Sequence, residues 1–144
     1  MSRVEAAPYA SPDELGLLGP IVRVHIGPDT RFVRDSEGMP QVQNVPALVD
    51  TGADKSYLDS DLAKELNLPC VEQREIAGAG GLETVDVFLA QISVPDLGEV
   101  IYGKFAGVNL AQGGSPYKAV LGRSFLSRCV MIYDGPGSRV TLLI

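Results

Sequence analysis

Apolar and polar positions alternate with period two along much of the chain, and the runs are short. Residues 21–26 read Ile-Val-Arg-Val-His-Ile, which predicts a half-buried strand with Val22, Val24 and Ile26 inward and His25 outward. Residues 45–49 are apolar apart from Pro46 near the start, the pattern of a buried strand, and run directly into Asp50-Thr51-Gly52-Ala53. Between them, residues 27–43 make a long connection with turn signals and room for a short strand at 31–34. Beyond the apolar stretch 56–58, Leu58, Leu62 and Leu66 recur at i, i+4 and i+8. This predicts a helix capped by Asp59 or Ser60, continuing through Asn67 and stopped by Leu68-Pro69. Residues 71–77 and 82–94 flank the tip Gly78-Ala79-Gly80-Gly81 and predict a hairpin, with Val85, Val87, Leu89 and Gln91 on one face. Further strands are expected within 99–110, at 119–121, at 130–133 and at 140–144. The last two are joined by the turn Asp134-Gly135-Pro136-Gly137, and one or two helical turns fall at 124–128.

Composition narrows the class. Sixteen Gly and ten Pro in 144 residues, with no Trp, describe a chain cut by turns, so an all-β domain with one or two short helices is expected. The length suits one domain. Residues 1–19 show no sustained period and are expected to be a leader or a loosely docked arm before a domain spanning 20–144. Leu17-Leu18 before Gly19-Pro20 is an apolar stretch able to enter a binding groove, which would suit a leader removed by self-processing. A formal charge of −6 gives phosphate backbones no electrostatic attraction, so nucleic acid is not expected as a partner. With no apolar run long enough to span a bilayer and no secretory pattern, no membrane association is expected, and the location is expected to be cytoplasmic. Cys70 and Cys129 match no metal spacing and are expected as buried thiols.

The chemistry concentrates at Leu48-Val49-Asp50-Thr51-Gly52-Ala53-Asp54. A carboxylate on a tight turn leaving a buried strand is held rigidly, and the glycine allows close backbone approach. About seventy residues later Val120-Leu121-Gly122-Arg123 repeats the apolar run into glycine, with the glycine-tipped hairpin between them. This order resembles the retropepsins, single-domain aspartic proteases related to retroviral proteases, and a cellular or bacterial member is expected. The likeness covers roughly residues 20–144. It implies a small closed barrel with a flap at residues 71–94, active as a symmetric homodimer. It makes Asp50 the catalytic aspartate, Thr51 the residue tying the two active-site loops together, and Gly52 a backbone contact to substrate. It also implies an Asp54–Arg123 pair bracing the turn. Candidate substrate walls are Ala53, Tyr57, Val120, Leu121 and the tip residues Gly78, Ala79 and Gly80. The connection 27–43 and the flap are longer than in viral members, and Tyr57 and Lys55 change pocket size and local charge.

Only one Asp-Thr-Gly is present, so a carboxylate pair needs a second copy of the chain. The expected reaction is hydrolysis of peptide bonds in extended polypeptides by an activated water, with no metal or other cofactor. Ala53 offers no hydroxyl to the carboxylates, which predicts activity at mildly acidic pH. The other reading is a catalytically silent dimeric barrel that binds extended peptides. Elsewhere, His25 lacks a partner for catalysis, Ser115 and Ser124 lack the GxSxG setting of a hydrolase nucleophile, and Asp59 and Asp61 read as a helix start rather than a cation site. The apolar residues 140–144 are expected to pair across the twofold as an interface strand.

Overall fold

The computed structural model describes residues 3–6, 12–32, 41–78 and 80–144. Its strands are β1 (Arg3–Ala6), β2 (Ile21–Gly27), β3 (Val42–Val49), β4 (Tyr57–Asp59), β5 (Cys70–Gly78), β6 (Gly81–Val94), β7 (Glu99–Val108), β8 (Ala119–Leu121), β9 (Val130–Asp134) and β10 (Arg139–Leu143). Three short helices join them, α1 (Pro12–Leu18), α2 (Ser60–Glu65) and α3 (Arg123–Leu126).

Seven strands form one sheet in the order β2-β3-β8-β4-β7-β6-β5, and β6 also returns to β2. That pairing, His25 with Ser93, Ile26 with Ile92 and Gly27 with Gln91, closes six of them into a barrel and leaves no open edge on the ring. Within β2, the period-two expectation holds: Val22, Val24 and Ile26 are buried. His25 sits on the other face, where Nδ1 accepts a hydrogen bond from the Asn44 amide beside a register shift between β2 and β3.

The interior is filled by those residues with Ala47, Val49, Phe88, Ala90, Ile92, Ala119, Leu121 and Phe125. A second, smaller cluster of Val85, Val87 and Ala106, with Tyr57 and Ile76 against it, lies outside the main core. Strand β6 therefore serves both: odd residues 85 and 87 face the small cluster, and even residues 88–94 fill the barrel. Strand β5 pairs with β6 from Cys70 to a tip at Gly78 opposite Gly81, and projects the hairpin beyond the ring.

Asp59 caps α2, its Oδ2 accepting from the Leu62 amide while Oδ1 accepts from the Leu110 amide. Both oxygens are thus used in holding the helix start, as expected of a cap. The helix ends at Glu65, two residues short of the expected Asn67, because Asn67 takes a left-handed φ of 51 that a helix cannot continue through.

Several expectations are corrected. The C-terminal strand cannot pair across a twofold through its edges, because β10 lies between β1 and β9 in a three-stranded sheet. Cys70 is exposed rather than buried, since it opens the projecting hairpin; Cys129 is half-buried, and burial pushes its thiol pKa up. Residues 30–32 form a turn rather than the start of a strand, and residues 33 and 34 lie outside the described residues. The arm before Pro20 is docked where it is described. Strand β1 pairs with β10, Leu15 is fully buried in the core, and the Tyr117 hydroxyl donates to the Leu18 carbonyl. Two short elements, with Val4 and Leu15 their buried residues among those described, leave no period for a sequence reading to detect.

Candidate active site

Strands β3 and β8 run parallel, pairing Val49 with Leu121, so two chain segments reach the same rim of the barrel side by side. There the turn after β3 is stitched to the start of α3. The Asp50 amide donates to the Leu121 carbonyl at 3.0 Å, the Arg123 amide to Ala53 at 2.8 Å, and the Ser124 amide to Asp54 at 3.0 Å. The Gly122 amide donates to Ser56 Oγ at 3.1 Å, which in turn lies 3.2 Å from Ser124 Oγ. Gly122 is required at this crossing, since a Cβ there would collide with the carbonyl oxygens of Lys55 and Ala53. The hydroxyls of Ser56 and Ser124 thus act as fasteners. Sequence reasoning missed this role because the two residues are far apart in the chain.

This stitching fixes a half-buried Asp50 at the turn. Its Oδ1 accepts from the Gly52 amide at 2.8 Å, and a Cβ at Gly52 would stand 3.0 Å from that same oxygen. Glycine therefore lets the amide reach the carboxylate, leaving Oδ2 without a hydrogen bond among the described residues. Thr51 is exposed and its carbonyl accepts from Arg123 Nη1 at 2.6 Å.

The expected Asp54–Arg123 pair is not formed. Asp54 Oδ1 accepts from the Lys55 amide at 2.9 Å and the Tyr57 hydroxyl at 3.2 Å. The Tyr57 hydrogen bond, followed by the Lys55 amide and charge, holds the Asp54 carboxyl below its usual range. Burial, reinforced by the Asp54 charge, pushes the Tyr57 phenol up. Arg123 opens α3 on the far side of the turn, so its guanidinium meets the Thr51 carbonyl first.

Asp50 opens onto a cleft of about 580 Å³. Ala53, Asp54, Lys55 and Tyr57 line it from the turn and β4, Val120 from β8, and Val108 from β7. The facing wall is Arg74, Glu75, Ile76 and Ala77 of β5, none of them singled out from the sequence. The alternation of β5 was the available signal, but the tip glycines drew attention past it. Gly78 and Gly80 stand exposed at the hairpin's end, away from this lining, and Ala79 lies outside the described residues. Leu121 is also corrected as a wall residue: it is fully buried in the barrel core, because successive strand residues face opposite sides and Val120 takes the cleft side.

Residues 39–128 match the family described as gag-polyprotein putative aspartyl protease. A retropepsin-like aspartic protease from Rickettsia conorii is similar in structure at a TM-score of 0.52 and 17% identity, over 97% of this chain and 89% of that one. The EIAV protease, solved with the inhibitor HBY-793, is similar at 0.49 and 22% identity, covering 75% of this chain and 85% of that one. The Simian Foamy Virus (mac) protease is similar at 0.47 and 14% identity, covering 74% and 91%. No curated protein sequence matches. The Rickettsia conorii likeness places the closed barrel and its projecting hairpin in the retropepsin-like fold. The family match runs over most of the chain, from ahead of the Asp50 turn through α3, and by it the chain belongs to the gag-polyprotein putative aspartyl protease family.

Proposed function

We propose that the protein is an aspartic endopeptidase that hydrolyses peptide bonds in extended polypeptides as a homodimer, each protomer contributing Asp50. The observation that carries this reading is the single Asp50, held by its own turn against the cleft with one carboxylate oxygen free of hydrogen bonds among the described residues. Two such carboxylates about 3 Å apart cannot both ionise readily, so the pair shares a proton, the general property of aspartic-protease dyads. The ionised partner takes a proton from a water as that water attacks the peptide carbonyl. The protonated partner hydrogen-bonds the developing gem-diol, and the amine leaves after protonation. The β5–β6 hairpin acts as the flap, its wall of Glu75, Ile76 and Ala77 closing over an extended substrate that presents alternate side chains to the cleft.

The second copy needs a surface near Thr51. Met131 of β9 shares a hollow with Thr51, Arg123, Leu126 and Ser127, and β9 is an edge strand with Val130, Ile132 and Tyr133 each more than half exposed. In this reading β9, rather than β10, faces the partner.

The test incubates wild type and Asp50→Asn, both checked for dimerisation, with a diverse peptide library at pH 4 to 7, and reads cleavage by mass spectrometry. Cuts made by the wild type alone are expected, with activity at mildly acidic pH. Peptides bound equally well by both proteins and cut by neither would replace this reading with a peptide-binding module.

A further inference from the structure

Beside the cleft lies a second hollow of about 240 Å³ that shares Lys55, Tyr57 and Arg74 with it. Its charged lining is Lys55, Arg74 and Lys104, with no carboxylate among the lining residues, in a chain whose formal charge is −6. One acid pairs with two of them from outside: Glu72 Oε1 lies 3.0 Å from Lys104 Nζ and 3.4 Å from Arg74 Nη2. Those two cations hold the Glu72 carboxyl below its usual range, Lys104 most strongly. Lys55 has no ion pair among the described residues, and the nearby Asp54 Oδ1 is already shared by the Lys55 amide and the Tyr57 hydroxyl. Three cations therefore surround one hollow against two carboxylates outside its lining, Glu72 at Lys104 and Arg74 and Asp54 near Lys55. Like charges so gathered repel one another, and an arriving anion relieves that repulsion.

We infer that this hollow receives an acidic side chain of the extended polypeptide lying in the cleft, so that substrates carrying Asp or Glu at one position flanking the scissile bond are preferred. The inference rests on the proposed peptidase reading and names the substrate class of that same site. An extended peptide directs alternate side chains to one side at about 6.5–7 Å intervals, and the residues common to both hollows make the second a side branch of the first. Arg74 supplies a planar fork suited to a carboxylate, Lys104 and Lys55 supply mobile ammonium groups, and the apolar Ile101 and Phe105 line the remainder.

The test takes peptides that the wild type cleaves and replaces each Asp or Glu by Asn or Gln, one position at a time. At one position kcat/KM is expected to fall about tenfold at low salt, the size of a charge-assisted contact in a partly exposed site. The acid-to-amide ratio should shrink in 0.5 M NaCl and vanish below about pH 4, where the peptide carboxyl takes up its proton. Arg74→Gln and Lys104→Gln should each reduce that ratio, and Lys104→Glu should turn it toward Lys-containing peptides. Fluorescence anisotropy of the same acid and amide peptides on Asp50→Asn gives a readout that needs no cleavage and separates this inference from the peptidase reading. Equal kcat/KM and equal binding for acid and amide at every position would overturn it, as would a preference that neither Arg74→Gln nor Lys104→Gln moves.

Discussion

From Phe88 to Val94, β6 is paired along its length with β7, meets β2 at residues 91–93, and buries Phe88, Ala90, Ile92 and Val94 in the barrel. From Gly81 to Thr84 the same strand pairs only with β5, and its side chains are exposed, Leu82 at 74%. One strand thus spans a region held by burial on every side and a region held by a single ladder of hydrogen bonds. Stability is set in the first, while the second is left open to respond to whatever occupies the cleft. The carboxylate belongs to the firm region and the facing wall to the exposed one, a division suited to a fixed reacting group and an adaptable substrate cover.

The firm side should break most completely at Gly122. Placing Ala there drives a methyl into two backbone carbonyl oxygens that cannot move without undoing the turn, and a loss of at least about 3 kcal/mol is expected. Chemical denaturation, or a missing cooperative transition, would register it. In the barrel half of β6, Ile92→Ala should cost about 2–5 kcal/mol, measured as a lower denaturation midpoint with an unchanged slope.

At the barrel's edge, Asp29 is fully buried and receives two hydrogen bonds from the Arg31 guanidinium, which also stacks 4.6 Å from the Tyr102 ring centre. Those hydrogen bonds hold its carboxyl below the ordinary 3.8. The stability it contributes is therefore present above pH 3.8 and lost as pH falls through the lower native value. Asp29→Asn should cost about 1–3 kcal/mol at pH 7, and the deficit relative to wild type should narrow in acid below pH 3.8. A deficit that stays constant across that range would assign the effect to packing instead.

The open side should yield the smallest stability change with a measurable functional one. Ile76→Ala removes a half-buried side chain from the small cluster and from the cleft wall. About 1 kcal/mol or less is expected, together with a raised KM for extended peptides. A large stability loss with unchanged KM would erase the distinction between the two regions.

What the sequence made legible follows this division. Period-two alternation identified β2, a continuous apolar run β3 and the glycine tip the hairpin, and the cap was readable as Asp59 or Ser60 because a capping side chain and its helix are neighbours in the chain. The Asp50 turn was equally local. Its fasteners were not: Gly122, Ser56 and Ser124 meet because β4 and β8 are antiparallel neighbours, a non-local fact that no window of residues contains. Arg123 was expected at Asp54, yet the direction of its side chain depends on where α3 starts relative to the turn. Leu121 was taken for a wall because apolar residues near a motif resemble lining. The parity of a three-residue strand sends it to the core instead.

In the proposed reaction one Asp50 per chain needs a second, and dilution tests that requirement most directly. Peptide cleavage should be measured across a wide range of protein concentration, with sedimentation following the mass in parallel. Specific activity is predicted to fall as the dimer dissociates and to vanish in the monomer. Specific activity that stays constant down to concentrations where only monomer remains would contradict it.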